Sequence, residues 1–149
     1  MVTERKRGMR MQDRYLFRAK RLDNGEWVLG YLLYPFCTEK GNESYFFYAT
    51  DSLDFFCRCV VDASTICQCT GLKDKNGNLI WENDIVAYWD SYSTESGLAE
   101  ANCVGKVVWD DETISFQVTN RLSAESYEVL GDECSVIGNV FDNPELLEE

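Results

Sequence analysis

The residues whose type and spacing point most directly to chemistry are cysteines, present as Cys57-x-Cys59 and Cys67-x-Cys69 among seven in the chain. On a strand, residues two apart share a face, so each pair presents both thiols in one direction. A three-residue hairpin loop at Asp62-Ala63-Ser64 would set Cys57 opposite Cys69 and Cys59 opposite Cys67. Four thiols would then share a face, as a tetrathiolate zinc site requires. A slip of one residue destroys that arrangement. Even in the favourable register the geometry is poor. Sulfurs around one zinc lie within about 4 Å of each other, given Zn–S bonds near about 2.3 Å, and facing pairs on a pleated sheet sit wider. The better reading is that these thiols pack as small buried hydrophobes.

Other chemistry finds few residues to work with. The chain has no histidine, which removes the commonest general base, Ser-His and Cys-His pairs, and imidazole metal ligands. An acidic residue two before a lysine, as metal nucleases use on paired strands, occurs only as Glu4-x-Lys6. No glycine loop has the spacing that cradles phosphates. Asp110-Asp111-Glu112 could hold Mg²⁺ or Ca²⁺, but loops of acidic proteins commonly carry such runs. We therefore assign no catalytic, cofactor-binding or metal residue and expect no enzyme. A metal-dependent enzyme stays the lesser alternative.

Composition bounds the rest. At 149 residues the chain suits one domain, and 45% hydrophobic residues with eight Tyr, eight Phe and four Trp supply enough core to exclude disorder. The longest apolar run, Val28 to Cys37, is broken by Gly30 and Pro35 and is too short to span a bilayer. The basic N-terminus has no apolar stretch behind it, so it is not a secretory signal. An odd cysteine count without such a signal argues against a disulfide framework. A cytoplasmic protein without membrane attachment is expected.

Charge is divided unevenly. Residues 1–21 carry eight basic and two acidic side chains, whereas residues 22–149 carry six basic and 24 acidic. A basic arm on an acidic body could bind nucleic acid or dock on an acidic neighbour, and a solvated arm is the plainer reading. Lys6-Arg7-Gly8 can be encoded by purine-rich codons resembling a ribosome-binding site ahead of Met9 and Met11. Residues 1–10 are thus read as a basic extension whose start is in question, and residues 11–149 as the domain.

Turn punctuation places the elements. Tyr15 to Lys20 reads as a strand, Asp23-Asn24-Gly25 as a hairpin turn, and Trp27 to Tyr34 as the return strand. Tyr45 to Tyr48, Phe55 to Val61 and Thr65 to Cys69 follow. Asn76-Gly77 is a two-residue turn signal, because both residues tolerate positive φ. Leu79 to Trp81 comes next, then the polar corner Glu82-Asn83-Asp84, then a strand from Ile85 to Trp89. An acidic corner followed by β-branched residues is how strands enter small SH3-like barrels, an analogy that concerns fold alone. Asp90 to Asn102 is small, polar and acidic, and reads as a mobile surface loop. Val104 to Trp109, Ile114 to Thr119 and Val136 to Val140 complete the strands. Ala124 to Leu130 fits a short helix or an edge strand. At the end Asn143 can cap a helical turn begun by Pro144, with Leu146 and Leu147 anchoring it.

Taken together, FRAK at Phe17 to Lys20, QCTGLKDKNG at Gln68 to Gly77, NDIV at Asn83 to Val86, GKVVWDD at Gly105 to Asp111 and VIGNVFDNPELLE at Val136 to Glu148 resemble the YopX family of phage and prophage proteins. The likeness covers nearly all of residues 11–149. Two positions depart from the family pattern: Cys69, where an aromatic is common, and Asn83, where glycine is usual. The resemblance implies an all-β fold of strongly coiled antiparallel sheets with little helix, and a tendency to self-associate. It carries no catalytic residues and no established activity.

The expected function is accordingly that of a phage accessory protein in the bacterial cytoplasm. It would bind a host or phage protein, as a homo-oligomer, without catalysis. Tyr88, Trp89 and Tyr92, beside the acidic loop, are candidates for its contact surface, although core packing is the more natural role for Trp89 than for Tyr92. The alternative is a nucleic-acid role, either through the basic arm with a steep salt dependence or through an acidic body that mimics DNA.

Overall fold

Local sequence sets the first sheet. Phe17–Lys20 (β1) alternates around a buried Ala19 and turns through residues 22–25, where Gly25 has φ 71°, into Trp27–Leu32 (β2). The computed structural model describes residues 13–32, 36–37, 43–49, 58–120, 126–128 and 131–148. Within them Phe36–Cys37 (β3), Glu43–Ala49 (β4), Arg58–Val61 (β5), Cys67–Lys73 (β6) and Leu79–Trp81 (β7) complete a seven-stranded antiparallel sheet of order β3-β4-β2-β1-β6-β7, with β5 on β4. The sheet curls. An isolated bridge joins Arg21 to Val61, and Asp62 N–H donates to the Lys20 carbonyl at 2.8 Å, so the free side of β5 comes back to the end of β1. Inside the curl Ala19, Val28, Phe47, Cys59 and Val61 form one core, with Phe17 edge-on to Phe47 at 6.4 Å.

A second sheet follows. Asp84–Thr94 (β8), Gly97–Asp110 (β9), Ser115–Thr119 (β10), Ser126–Glu128 (β11) and Cys134–Asn139 (β12) run in the order β11-β10-β9-β8-β12. Val86, Val107, Val118 and Cys134 make its core, joined by Ile80 of β7, so the first sheet contributes to the second. Gly105 is fixed by close approach: a Cβ there would stand 2.5 Å from Val118 Cγ1 and 2.7 Å from the Thr119 carbonyl oxygen. The only helical turns among the described residues are short 3₁₀ segments.

An all-β antiparallel fold with little helix is therefore what forms. Neither sheet closes into a barrel among the described residues, so the SH3-like element is not confirmed. Asp90 to Asn102 is not a loop: β8 and β9 pair continuously from Ile85↔Lys106 to Thr94↔Gly97, with a two-residue turn at Glu95-Ser96. The outer part of this strand pair carries only partly buried, small side chains such as Ala99 and Ala101 on its less exposed face, which is why hydrophobic alternation is weak there. The segment from Ala124 to Leu130 resolves to the edge strand β11 within Ser126–Glu128. Ile114 precedes β10 instead of starting it, in a left-handed conformation at φ 54°. The Asn143 side chain does not cap the Pro144–Leu147 turn; its Oδ1 accepts the Asn139 N–H at 3.3 Å.

Candidate functional site

Two regions compete for function. The first is the seam between the sheets, where the sequence motifs converge. Arg18 of β1 donates from Nη2 to Asp84 Oδ1 at 2.5 Å, and Asp84 Oδ2 accepts the Trp81 N–H at 2.8 Å. The guanidinium stacks over Trp27 at 4.8 Å and Trp81 at 5.4 Å, an arrangement that rewards a delocalised cation. Asp84 is 1% exposed, and burial pushes its carboxyl above the usual range against the pull of Arg18. Arg18 Nε is buried without a hydrogen-bond partner, an unsatisfied donor that costs about 1–3 kcal/mol.

Beside this pair the C-terminal motif clamps β1 and β2. Asp142 receives the Lys20 ammonium on Oδ1 and the Trp27 Nε1–H on Oδ2 at 2.7 Å, while Phe141 meets the Trp27 ring edge-on at 5.8 Å. The Lys20 and Trp27 hydrogen bonds hold the Asp142 carboxyl down at about 2. Backbone bonds continue the clamp: Asn83 N–H donates to the Val107 carbonyl at 2.9 Å and Val140 N–H to the Asn83 carbonyl at 3.0 Å. Asn83 takes φ 66°, which asparagine tolerates well, explaining why it can stand where glycine is usual.

Asp74 completes the seam. Its Oδ1 accepts the N–H groups of Asn76 and Asn78, both at 2.9 Å, and its Oδ2 accepts the Val136 N–H at 2.9 Å. It thus organises the Asn76-Gly77 turn and ties it to β12. Burial raises its carboxyl, but these donors outweigh burial and the carboxyl sits below the usual range.

The paired cysteines fall in the same region without forming a site. β5 and β6 do not pair with each other, because a 3₁₀ turn at Ala63–Thr65 separates them and sends β6 to β1 and β7 instead. The hairpin needed for four facing thiols is therefore absent, and Cys57 lies outside the described residues. Cys59 belongs to the first core, while Cys67 and Cys69 are fully buried on β6. Burial pushes the Cys67 and Cys69 thiols up, away from the thiolate that nucleophilic or metal chemistry uses. Among the described residues no three Cys, Asp or Glu side chains cluster to hold a metal ion.

The acidic run at the β9–β10 turn is likewise engaged internally. Asp110 accepts from Glu112 N–H at 3.1 Å and Thr113 Oγ1 at 2.7 Å, and Asp111 accepts from Trp109 Nε1 at 2.8 Å. Residues 1–12 lie outside the described residues. Beyond them, Arg18 and Lys20 are committed to the seam and Arg21 to Asp23 at 2.6 Å, so these cations belong to the fold and not to an arm.

The second region is the outer half of the β8–β9 hairpin. β12 pairs with β8 only from Asp84 to Tyr88, and β10 pairs with β9 only from Lys106 to Asp110. Beyond them, among the described residues, the hairpin continues as a two-stranded ribbon through six pairs, from Trp89↔Asn102 to Thr94↔Gly97, about 20 Å at the usual rise per residue. At the base both Ile85 and Val86 are buried, so both faces of β8 are covered there. Further out, Trp89 is 70% exposed and Leu98 79%. Trp89 is thus at the surface, against the expectation of core packing. Tyr88 packs against the second core and its hydroxyl accepts from Asn120 Nδ2 at 3.1 Å; the Tyr92 side chain is outside the description. Leu98 escaped the sequence reading because Asp90 to Asn102 carried no strand signal.

The fold and its seam define an all-β domain of two interlocked antiparallel sheets whose sequence motifs build the joint between them. The family model described as YopX protein matches residues 16–148, and the chain belongs to that family. No curated protein matches it. Among solved structures it is similar to protein EF1440 from Enterococcus faecalis, at 24% identity and a TM-score of 0.49, over 88% of this chain and 96% of that one. No helix among the described residues is long and apolar enough to cross a membrane.

Proposed function

We propose that this is a phage- or prophage-encoded accessory protein of the bacterial cytoplasm that acts without catalysis, by binding another protein through the outer β8–β9 ribbon. One observation carries the reading: Trp89, at 70% exposure, stands on a regular, fully paired strand instead of a loose loop. Tryptophan supplies large contact area at low conformational cost and is the residue most enriched where interfaces concentrate their binding energy. The seam supports the same reading, since its carboxylates are engaged by Arg18, Lys20 and backbone N–H groups and its thiols are buried. The YopX membership supports the phage setting and self-association.

The test is affinity capture of the tagged protein from cells carrying the active phage, beside a Trp89→Ser variant, with and without nuclease. A stoichiometric protein partner that resists nuclease and is lost with Trp89→Ser is expected. A catch that vanishes with nuclease would replace this reading with a nucleic-acid role. Sedimentation velocity of the full chain measures self-association directly.

A further inference from the structure

The same ribbon has a chemical character that narrows its partner. From Asn76 to Gly105 the chain contains no lysine or arginine, while it carries Glu82, Asp84, Asp90, Glu95 and Glu100. Asp84 is consumed by Arg18, but Glu95 and Glu100 are exposed and Asp90 is half-buried, all three on the ribbon. The face that presents Trp89 also presents Ser91, Ser93, Leu98, Glu100 and Asn102, because cross-strand partners share a face. An aromatic ring and an aliphatic side chain therefore share a face with the Glu100 carboxylate and two small hydroxyls, and Glu95 stands at the turn that ends the ribbon.

Beyond Tyr88 on β8, no strand among the described residues pairs with the outer edge. An edge of this kind offers alternating N–H and C=O groups to an incoming strand. An exposed tryptophan face further attracts cationic side chains lying across it.

Resting on the protein-binding reading, we propose that the ribbon receives an extended, basic segment of another protein, which adds along β8 and lays Lys or Arg side chains over Trp89 and toward Glu95 and Glu100. Charge complementarity selects this occupant. A second copy of this chain would bring further carboxylates to the same ribbon in a protein of net charge −12, and an acidic segment or nucleic acid would meet repulsion.

The experiment is selection from a random dodecapeptide display library on the full-length protein, with counter-selection on Trp89→Ser. Enriched peptides should carry net positive charge. They should bind the wild type at least tenfold more tightly than Trp89→Ser or Glu95→Lys/Glu100→Lys, and weaken as salt rises. The charge-reversed variant lies wholly on the exposed ribbon, so it reports even where Trp89→Ser unfolds; circular dichroism checks both. Enrichment of neutral or acidic peptides, or equal binding to both variants, overturns the inference. If no peptide enriches while the phage-cell capture still depends on Trp89, the basic-segment inference fails and the binding reading stands. Sedimentation showing an oligomer that Trp89→Ser dissociates would assign the ribbon to self-contact and likewise overturn it.

Discussion

The seam and the ribbon share strand β8 and differ in almost everything else. At its base β8 is covered on both faces, and Asp84 is locked between Arg18 and the Trp81 N–H. A few residues along, the same strand runs past the end of β12, keeps only β9 as a partner among the described residues, and presents Trp89 to solvent. The seam holds many polar groups and satisfies nearly all of them, which makes it a joint. The ribbon has backbone pairing but little buried apolar surface of its own. A two-stranded ribbon alone is marginally stable in water, so it stands by being continuous with a packed sheet. Sequence motifs can thus mark the joint, while the surface free for contact carries an unremarkable composition.

Breaking the joint should produce the largest effect. Asp84→Ala leaves Arg18 buried without its counter-charge and should cost about 3–5 kcal/mol, read as a lower midpoint in urea. The Arg18→Met/Asp84→Leu double variant should recover part of that loss; a double variant as unstable as Asp84→Ala would show that the pair is more than mutual compensation.

A smaller loss is expected at the C-terminal clamp. The Asp142 carboxyl is depressed to about 2 in the folded chain from an ordinary 3.8. Its contribution is therefore fully present above about pH 4 and lost as pH falls through about 2. Because Asp142 is more than a third exposed, solvent screening reduces that contribution to about 1 kcal/mol. Asp142→Asn should lower stability by this amount at neutral pH and flatten the acid limb of the stability curve. A curve parallel to the wild type would deny the clamp its role.

The ribbon should respond in the opposite way. Amides between Trp89 and Asn102 should exchange with deuterium well before those of Ile85, Val86 and Val107, since local opening there breaks little packing. Equal protection would mean that something covers the ribbon. Trp89→Ser should change stability by no more than about 0.5 kcal/mol, as exposed substitutions usually do, while removing partner capture. A large stability loss would return Trp89 to a packing role and erase the contrast between the regions.

Much of the fold was legible because its signals are local. Asp23-Asn24-Gly25 and Asn76-Gly77 marked their hairpins through glycine, with Gly25 at φ 71° and Gly77 at φ 83°. The second is not a two-residue turn: Asp74 and Asn78 close a three-residue loop in which Asn76 keeps a negative φ. The Asp90–Asn102 stretch gives little strand signal because one face is exposed while the other carries Asp90, Ala99 and Ala101, which are partly buried but weakly apolar. The site was less legible still. Nothing about Arg18, Asp74, Asp84 or Asp142 taken singly announces a partner, since the partners of Arg18 and Asp84 lie 66 residues apart and those of Lys20 and Asp142 lie 122.

By itself the sequence determined the class: an all-β chain without histidine, rich in aromatics and cysteines, with the motifs of the YopX family. Composition and turn chemistry act within a few residues, so a single chain read in order suffices for them. Only the tertiary structure decided that those motifs form a joint, that β5 and β6 do not pair into the hairpin that would set their cysteines opposite each other, and that Trp89 points to solvent. Register and strand order settle such matters, and both depend on contacts between residues far apart in sequence.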